Sequence, residues 1–147
     1  MKRVVALAAL CLAACGPAPV QPPADPATDA SYAQSVQQLA ALTRKAEGLF
    51  QKGNQDAASD LILKGEPVAT RLLATPRPTL EAMQAASDLD QLYGQMLLSN
   101  RNYGWARLQF QKNEARWKNW RPQTPETAER LHAAEAAIAE CDRKMTE

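Results

Sequence analysis

The chain has 147 residues and a mass of 16.1 kDa, room for one domain and a tail. Charged residues make up 22% and the formal net charge is +1, so bulk charge gives no basis for nucleic-acid binding. Ala, Leu and Gln are abundant and aromatic residues make up only 5%, which favours helix over strand. One His and three Cys argue against a zinc site of the usual Cys/His kind.

The chain opens on Lys2 and Arg3, followed by an uncharged apolar run from Val4 to Ala14. A permanent membrane span needs about 20 residues, so this run fits the apolar region of a signal peptide instead. It ends in Leu12-Ala13-Ala14-Cys15-Gly16. This segment resembles the lipobox of bacterial lipoproteins. The resemblance implies cleavage before Cys15, acylation of its sulfur and usually of the new amine. It also implies a cell-envelope location. Gly16 stands where an Asp would retain the protein in the inner membrane, so the implied site is the outer membrane, facing the periplasm. Residues 1–14 are then the signal peptide, 15–29 the lipidated Cys and tether, and 30–147 a helical domain. After cleavage, 15 basic and 16 acidic side chains remain. Cys141 is left without a disulfide partner in its own chain. Acyl chains contribute roughly 0.8 kcal/mol per buried CH₂, so the lipid is expected to hold the chain at the membrane.

Residues 16–29 carry Pro17, Pro19, Pro22, Pro23 and Pro26 among small and polar residues. This composition predicts an extended spacer reaching roughly 40 Å.

From residue 30 the period becomes helical. Tyr32, Val36, Leu39, Ala46, Leu49 and Phe50 recur at spacings of three and four, and Gly53-Asn54 ends that helix. A second helix begins near residue 55 with Ala58, Leu61 and Ile62 inward, and Gly65-Glu66-Pro67 is expected to interrupt or kink it. Val68, Leu72 and Leu73 carry the pattern on to a loop at Thr75–Pro78, with Thr79 as the next N-cap. A third helical region runs from about 80 to 118, with a turn at Ser99–Asn102. Met83, Leu89, Leu92, Tyr93, Met96 and Leu97 form its first apolar set; Tyr103, Ala106, Phe110 and Trp117 form its second. Thr124-Pro125 reads as N-cap and N1 of a last helix, whose seam is Leu131, Ala134, Ile138, Cys141 and Met145. No strand-period run bounded by hairpin turns is present. The expected fold is all-α: an antiparallel helical bundle or a short array of helical hairpins.

Ala46, Leu49, Gly53, Ala58 and Ile62 are echoed by Gly94, Leu97, Tyr103, Ala106 and Phe110. Both sets resemble the small–large–turn–Ala–large pattern of a tetratricopeptide (TPR) hairpin. Ala58 and Ala106 lie 48 residues apart, against a family period of about 34. The resemblance implies a protein-binding module without catalytic residues.

No phosphate-binding loop, nucleophile elbow or His-Glu-x-x-His motif is present, so no catalytic residues, metal ligands or cofactor are assigned. His132, flanked by Glu129 and Glu135, reads as a solvent-edge histidine, and Cys141 as a small buried hydrophobe. The most informative stretch is Arg101–Arg121. It holds six cations against the single acid Glu114, together with all three tryptophans. On a helical wheel Arg101, Trp105, Leu108, Lys112 and Arg116 share the side opposite the core set. Trp and Arg dominate binding hot spots, so these five form the candidate binding surface. The competing reading turns on residues 122–147, which hold six acids and three bases. That helix could lie along the basic one and bury Trp105 in internal packing. A buried Trp105 would favour packing; an exposed one, binding.

The functional expectation is a membrane-anchored, non-catalytic adaptor or scaffold. Its partners are the membrane, through the lipid, and an envelope protein or other anionic envelope component, with no nucleic acid. A self-associating envelope spacer, a homo-oligomer, is the alternative. A ligand-binding or enzymatic domain ranks last.

Overall fold

A computed structural model describes residues 25–147. The signal-peptide and lipobox readings, Cys15 included, lie outside the described residues. Five helices follow in order: α1 (Ala30–Gln51), α2 (Gln55–Leu73), α3 (Leu80–Ser99), α4 (Tyr103–Asn119) and α5 (Pro125–Thr146). The described residues contain no strand, so the fold is all-α, as the sequence pattern requires. None of these helices is long and apolar enough to cross a membrane.

The last residues assigned to the tether are folded. Asp25 caps a 3-10 turn at Pro26–Thr28 by accepting from the Ala27 amide at 3.0 Å, and Ala27 packs against the core. Asp29 then caps α1 by accepting from the Ser31 amide at 2.8 Å. That bond favours the ionised carboxylate and lowers the Asp29 pKa. Spacer composition alone conceals this, because Pro and Asp suit a capped turn as well as an extended arm.

Two tight turns build the hairpins by one pattern. In the first, the Gly53 amide donates to Phe50 O at 2.9 Å and the Asn54 amide to Leu49 O at 2.9 Å. In the second, the Arg101 amide donates to Leu98 O at 3.0 Å and the Asn102 amide to Leu97 O at 2.8 Å. Gly53 has φ 78° and Arg101 φ 60°. A left-handed residue is needed at this point to close the last carbonyls of the helix, and glycine occupies it without a Cβ clash. Arg101 adopts the same backbone at a steric cost of roughly 1 kcal/mol. The 48-residue echo therefore extends to the geometry of the turn. It also extends to packing: Ala46, Ala58 and Ile62 are buried in the first hairpin, and Gly94, Ala106 and Phe110 in the second.

α2 runs unbroken through Pro67, so of the expected interruption or kink the interruption does not occur. Proline withholds one hydrogen bond from the Leu63 carbonyl. Leu63 and Pro67 both lie on the exposed side, where a carbonyl without its helical donor costs little. Gly65 faces inward, and a Cβ there would meet Leu89 at 3.1 Å and Leu39 at 3.3 Å. It marks the close approach of α2 to α1 and α3.

α3 is the central helix, packing against α1, α2 and α4, while α5 packs on α4. Ala82, Ala85, Ala86, Leu89, Leu92 and Met96 of α3 join Leu39, Ala46, Ile62 and Leu72 in the main core. A smaller core gathers Ala106, Phe110 and Cys141, with Leu97 and Ile138 at its edge. At Gly94 a Cβ would sit 2.5 Å from the Phe110 ring, so α3 and α4 meet there at a distance only glycine permits. Tyr32 ties the near end together: its hydroxyl donates to Leu72 O at 3.3 Å and accepts from the Thr79 amide at 3.3 Å. The short connections make neighbouring helices antiparallel. α2 and α4 therefore run parallel on either side of α3.

Candidate functional site

α4 turns two chemistries in opposite directions. Its inner side buries Ala106, Phe110, Asn113 and Trp117 at helical spacing. A buried polar network fixes that side to α3. The Trp117 indole donates to Ser87 Oγ at 2.8 Å, and Asn113 Nδ2 donates to Ser87 O at 3.0 Å. Every buried side-chain polar atom among the described residues has a partner. The α3–α4 pairing is thereby locked in register, because each buried group would be costly to strand.

The outer side presents Trp105 at 66% exposure and Leu108 at 49%. Arg101 precedes them in the exposed turn, and Lys112 follows one turn after Leu108. The expected contact residues Arg101, Trp105, Leu108 and Lys112 thus lie along one exposed stripe. Arg116 does not share their situation. Its side chain is only 8% exposed, and Nη2 donates to Asp90 Oδ2 at 2.8 Å while Nη1 donates to Asn113 Oδ1. The wheel places Arg116 near the stripe, but the carboxylate on α3 draws it into the fold.

The acidic last helix does lie on α4, as the packing reading required. Arg107 Nε meets Asp142 Oδ1 at 2.6 Å. Arg130 of α5 reaches the α3 carboxylate of Asp88 at 2.7 Å and stacks over the Trp117 ring at 5.4 Å. These contacts engage the inner and flanking sides of α4 and leave Trp105 open. The packing expectation therefore holds for α5 on α4 but not for Trp105, which stays exposed.

The sequence reading missed the neighbour of this stripe. On α2, Asp56, Asp60, Leu63 and Glu66 follow one another at helical spacing on the outward side, with Leu63 60% exposed. α2 and α4 flank a groove of about 560 Å³ floored by Leu89 and Asp90 of α3. Glu66 lines one wall; Lys112 and Arg116 line the other. Glu66 of the α2 row and Lys112 of the α4 stripe thus face one groove. The spacing 56, 60, 63, 66 was available in the sequence, but nothing there says that α2 and α4 flank one groove.

A second groove of about 320 Å³ lies between α1 and α3, lined by Thr43, Arg44, Glu47, Asp88, Gln91 and Gln95. It opens on the other side of α3, since Asp88 and Gln91 point away from Leu89 and Asp90. His132 is exposed, and no group of three His, Cys, Asp or Glu side chains suited to a metal occurs among the described residues. Cys141 is fully buried in the smaller core, and burial, with Asp142 and Glu140 nearby, raises its thiol pKa. A raised pKa keeps the nucleophilic thiolate scarce.

No family model matches the chain, and neither curated proteins nor solved structures gave a match.

Proposed function

We propose that this chain is a lipid-anchored, periplasm-facing interaction module, a non-catalytic adaptor whose helical domain contacts another envelope component through the outer side of α4. The observation that carries the reading is the exposure of Trp105, with Leu108 beside it and Arg101 and Lys112 along the same stripe. A large aromatic left in water, framed by cations, is the composition of a binding hot spot. The acyl groups on Cys15 would concentrate the domain at the membrane, and the Pro-rich residues would set its reach. The repeated hairpin supports the TPR-like reading of the domain as a binding scaffold, with a period of its own.

Self-association is the second reading, and one observation favours it: with exposed acids on α2 and exposed cations on α4, the domain offers surfaces of both signs.

The test is capture from cross-linked native envelopes with three versions of the full-length chain. Wild type should pellet with membranes and bring a partner. Trp105→Ala/Arg101→Glu should pellet equally and lose the partner. Cys15→Ala should leave the membrane fraction. Retention of the partner by the double variant would move the contact surface elsewhere, and membrane association of Cys15→Ala would end the anchor reading.

A further inference from the structure

One end of the bundle gathers the start of the described chain and two loops. Pro26 lines a small groove with Arg71 and Leu72, and Tyr32 bonds Leu72 O and the Thr79 amide, so the chain enters beside the α2–α3 loop. Leu73, Pro78 and Met83 line an apolar groove with Asn119 and Trp120, which brings the α4–α5 loop to the same end. Gln123 Nε2 fixes that loop by donating to Trp117 O and Trp120 O, both at 2.8 Å. Every charged side chain in residues 74–79 and 118–124 is a cation: Arg77, Lys118 and Arg121. All three are exposed, and no salt bridge among the described residues engages them. Half-buried Trp120 lies between Lys118 and Arg121 in the sequence.

We infer that this end rests on an anionic phospholipid surface, with Trp120 at the headgroup level and Arg77, Lys118 and Arg121 on lipid phosphates. A tryptophan beside an apolar groove and flanked by cations suits the boundary between headgroups and acyl chains. Cations within a Debye length of an anionic surface are drawn to it. The acids of this end face partners of their own. Asp25 and Asp29 accept from backbone amides, and Asp29 shares its groove with Arg71. Glu126 accepts from Gln84 and faces Arg130. Glu81 sits in the first turn of α3, where the helix dipole offsets its charge.

The orientation rests on the lipid anchor proposed for Cys15 and gives it a direction. Residues 16–24, nine in number, separate Cys15 from Asp25. They span at most about 30 Å, so the anchor keeps this end close to the bilayer at high effective concentration. Trp105 lies near the start of α4 and Trp120 at its end. At 1.5 Å per residue Trp105 stands about 22 Å further along the helix, on the side away from the lipid. The docked end thus presents Trp105 and Leu108 to a partner approaching from the periplasm.

The test reconstitutes the full-length chain, purified from envelopes, into vesicles of phosphatidylcholine and phosphatidylglycerol that also contain a lipid with a nitroxide on its headgroup. A thiol-reactive fluorophore is placed at Pro76→Cys, in the α2–α3 loop, or at Gln51→Cys, at the far end of α1; the chain without either substitution sets the background. Fluorescence at position 76 should be quenched about fivefold more than at position 51. Arg77→Glu/Lys118→Glu/Arg121→Glu should lower quenching at 76 about threefold while the chain still floats with the vesicles. High salt, or phosphatidylcholine alone, should do the same to the chain with its cations intact, so the reading does not depend on how the triple variant folds. Equal quenching at 76 and 51, or quenching at 76 that ignores salt and lipid charge, would overturn the docked end. Flotation separates the two readings. If the chain floats and the quenching pattern fails, the anchor stands and the orientation falls; if the chain with Cys15 intact does not float, both fall.

Discussion

Arg116→Ala is expected to destabilise the domain by about 3 kcal/mol, the loss typical of breaking a buried ion pair on one side. Arg116 and Asp90 are respectively 8% and 14% exposed, so solvent screens their bond little. The substitution leaves the Asp90 carboxylate with Lys112 alone, at 3.7 Å and more than half exposed. It also strips the buried Asn113 Oδ1 of its donor. Lys112→Ala and Arg101→Ala should each stay within about 0.5 kcal/mol of wild type, as solvated surface cations do. The contrast separates residues that share one helical wheel into those that hold the fold and those free to touch something else. Urea unfolding followed by far-ultraviolet circular dichroism measures it. An Arg116→Ala protein as stable as the Lys112→Ala protein would show the pair to be solvated and unimportant.

Trp117→Ala should cost more, about 4 kcal/mol, and leave the chain only marginally folded. The indole is fully buried between α3 and α4, donates to Ser87 Oγ at 2.8 Å, and carries the Arg130 guanidinium on its face. Truncation opens a cavity, strands the Ser87 hydroxyl and removes the platform by which α5 is fastened. Trp117→Phe keeps much of the volume and loses the N–H, so about 1–2 kcal/mol is expected. Trp105→Ala, by contrast, should leave unfolding almost unchanged, since its ring is mostly in water. Thermal unfolding of the three variants should rank Trp117→Ala lowest, Trp117→Phe between, and Trp105→Ala beside wild type.

Much of this fold was legible. Where a helix end depends on its own residues, the sequence states it: Gly53-Asn54, Thr79, the 99–102 turn and Thr124-Pro125 all stand at the expected boundaries. Thr124 additionally forms a reciprocal capping box with Thr127, a local device that needs no tertiary partner. The core sides of α1, α3 and α4 followed from spacing for the same reason. The failures share a different cause. Pro67 was expected to interrupt or kink α2, and it does not interrupt it, because tertiary packing around Gly65 and Ile62 outweighs one absent hydrogen bond on the exposed side. Arg116 was placed on the contact stripe because a wheel gives an angle without showing what the next helix offers at that angle. Asp90 offers a carboxylate. The acidic row of α2 was overlooked because its importance arises only once α4 lies beside it across α3.

Trp105 carries the same lesson in the favourable direction. Its exposure counts against the reading that buried it, because α5 covers the flank of α4 and not its outer side. A solvated tryptophan at the start of a well-anchored helix would make the proposed contact surface preorganised.

The most direct test of that claim places a photoreactive benzoylphenylalanine at position 105 of the full-length chain and irradiates intact envelopes. His132, exposed on α5, serves as the control position. A contact surface on α4 predicts a discrete adduct from position 105 that position 132 does not give. Adducts from position 132 alone, or none from 105 under conditions where the chain is folded and membrane-bound, would contradict it.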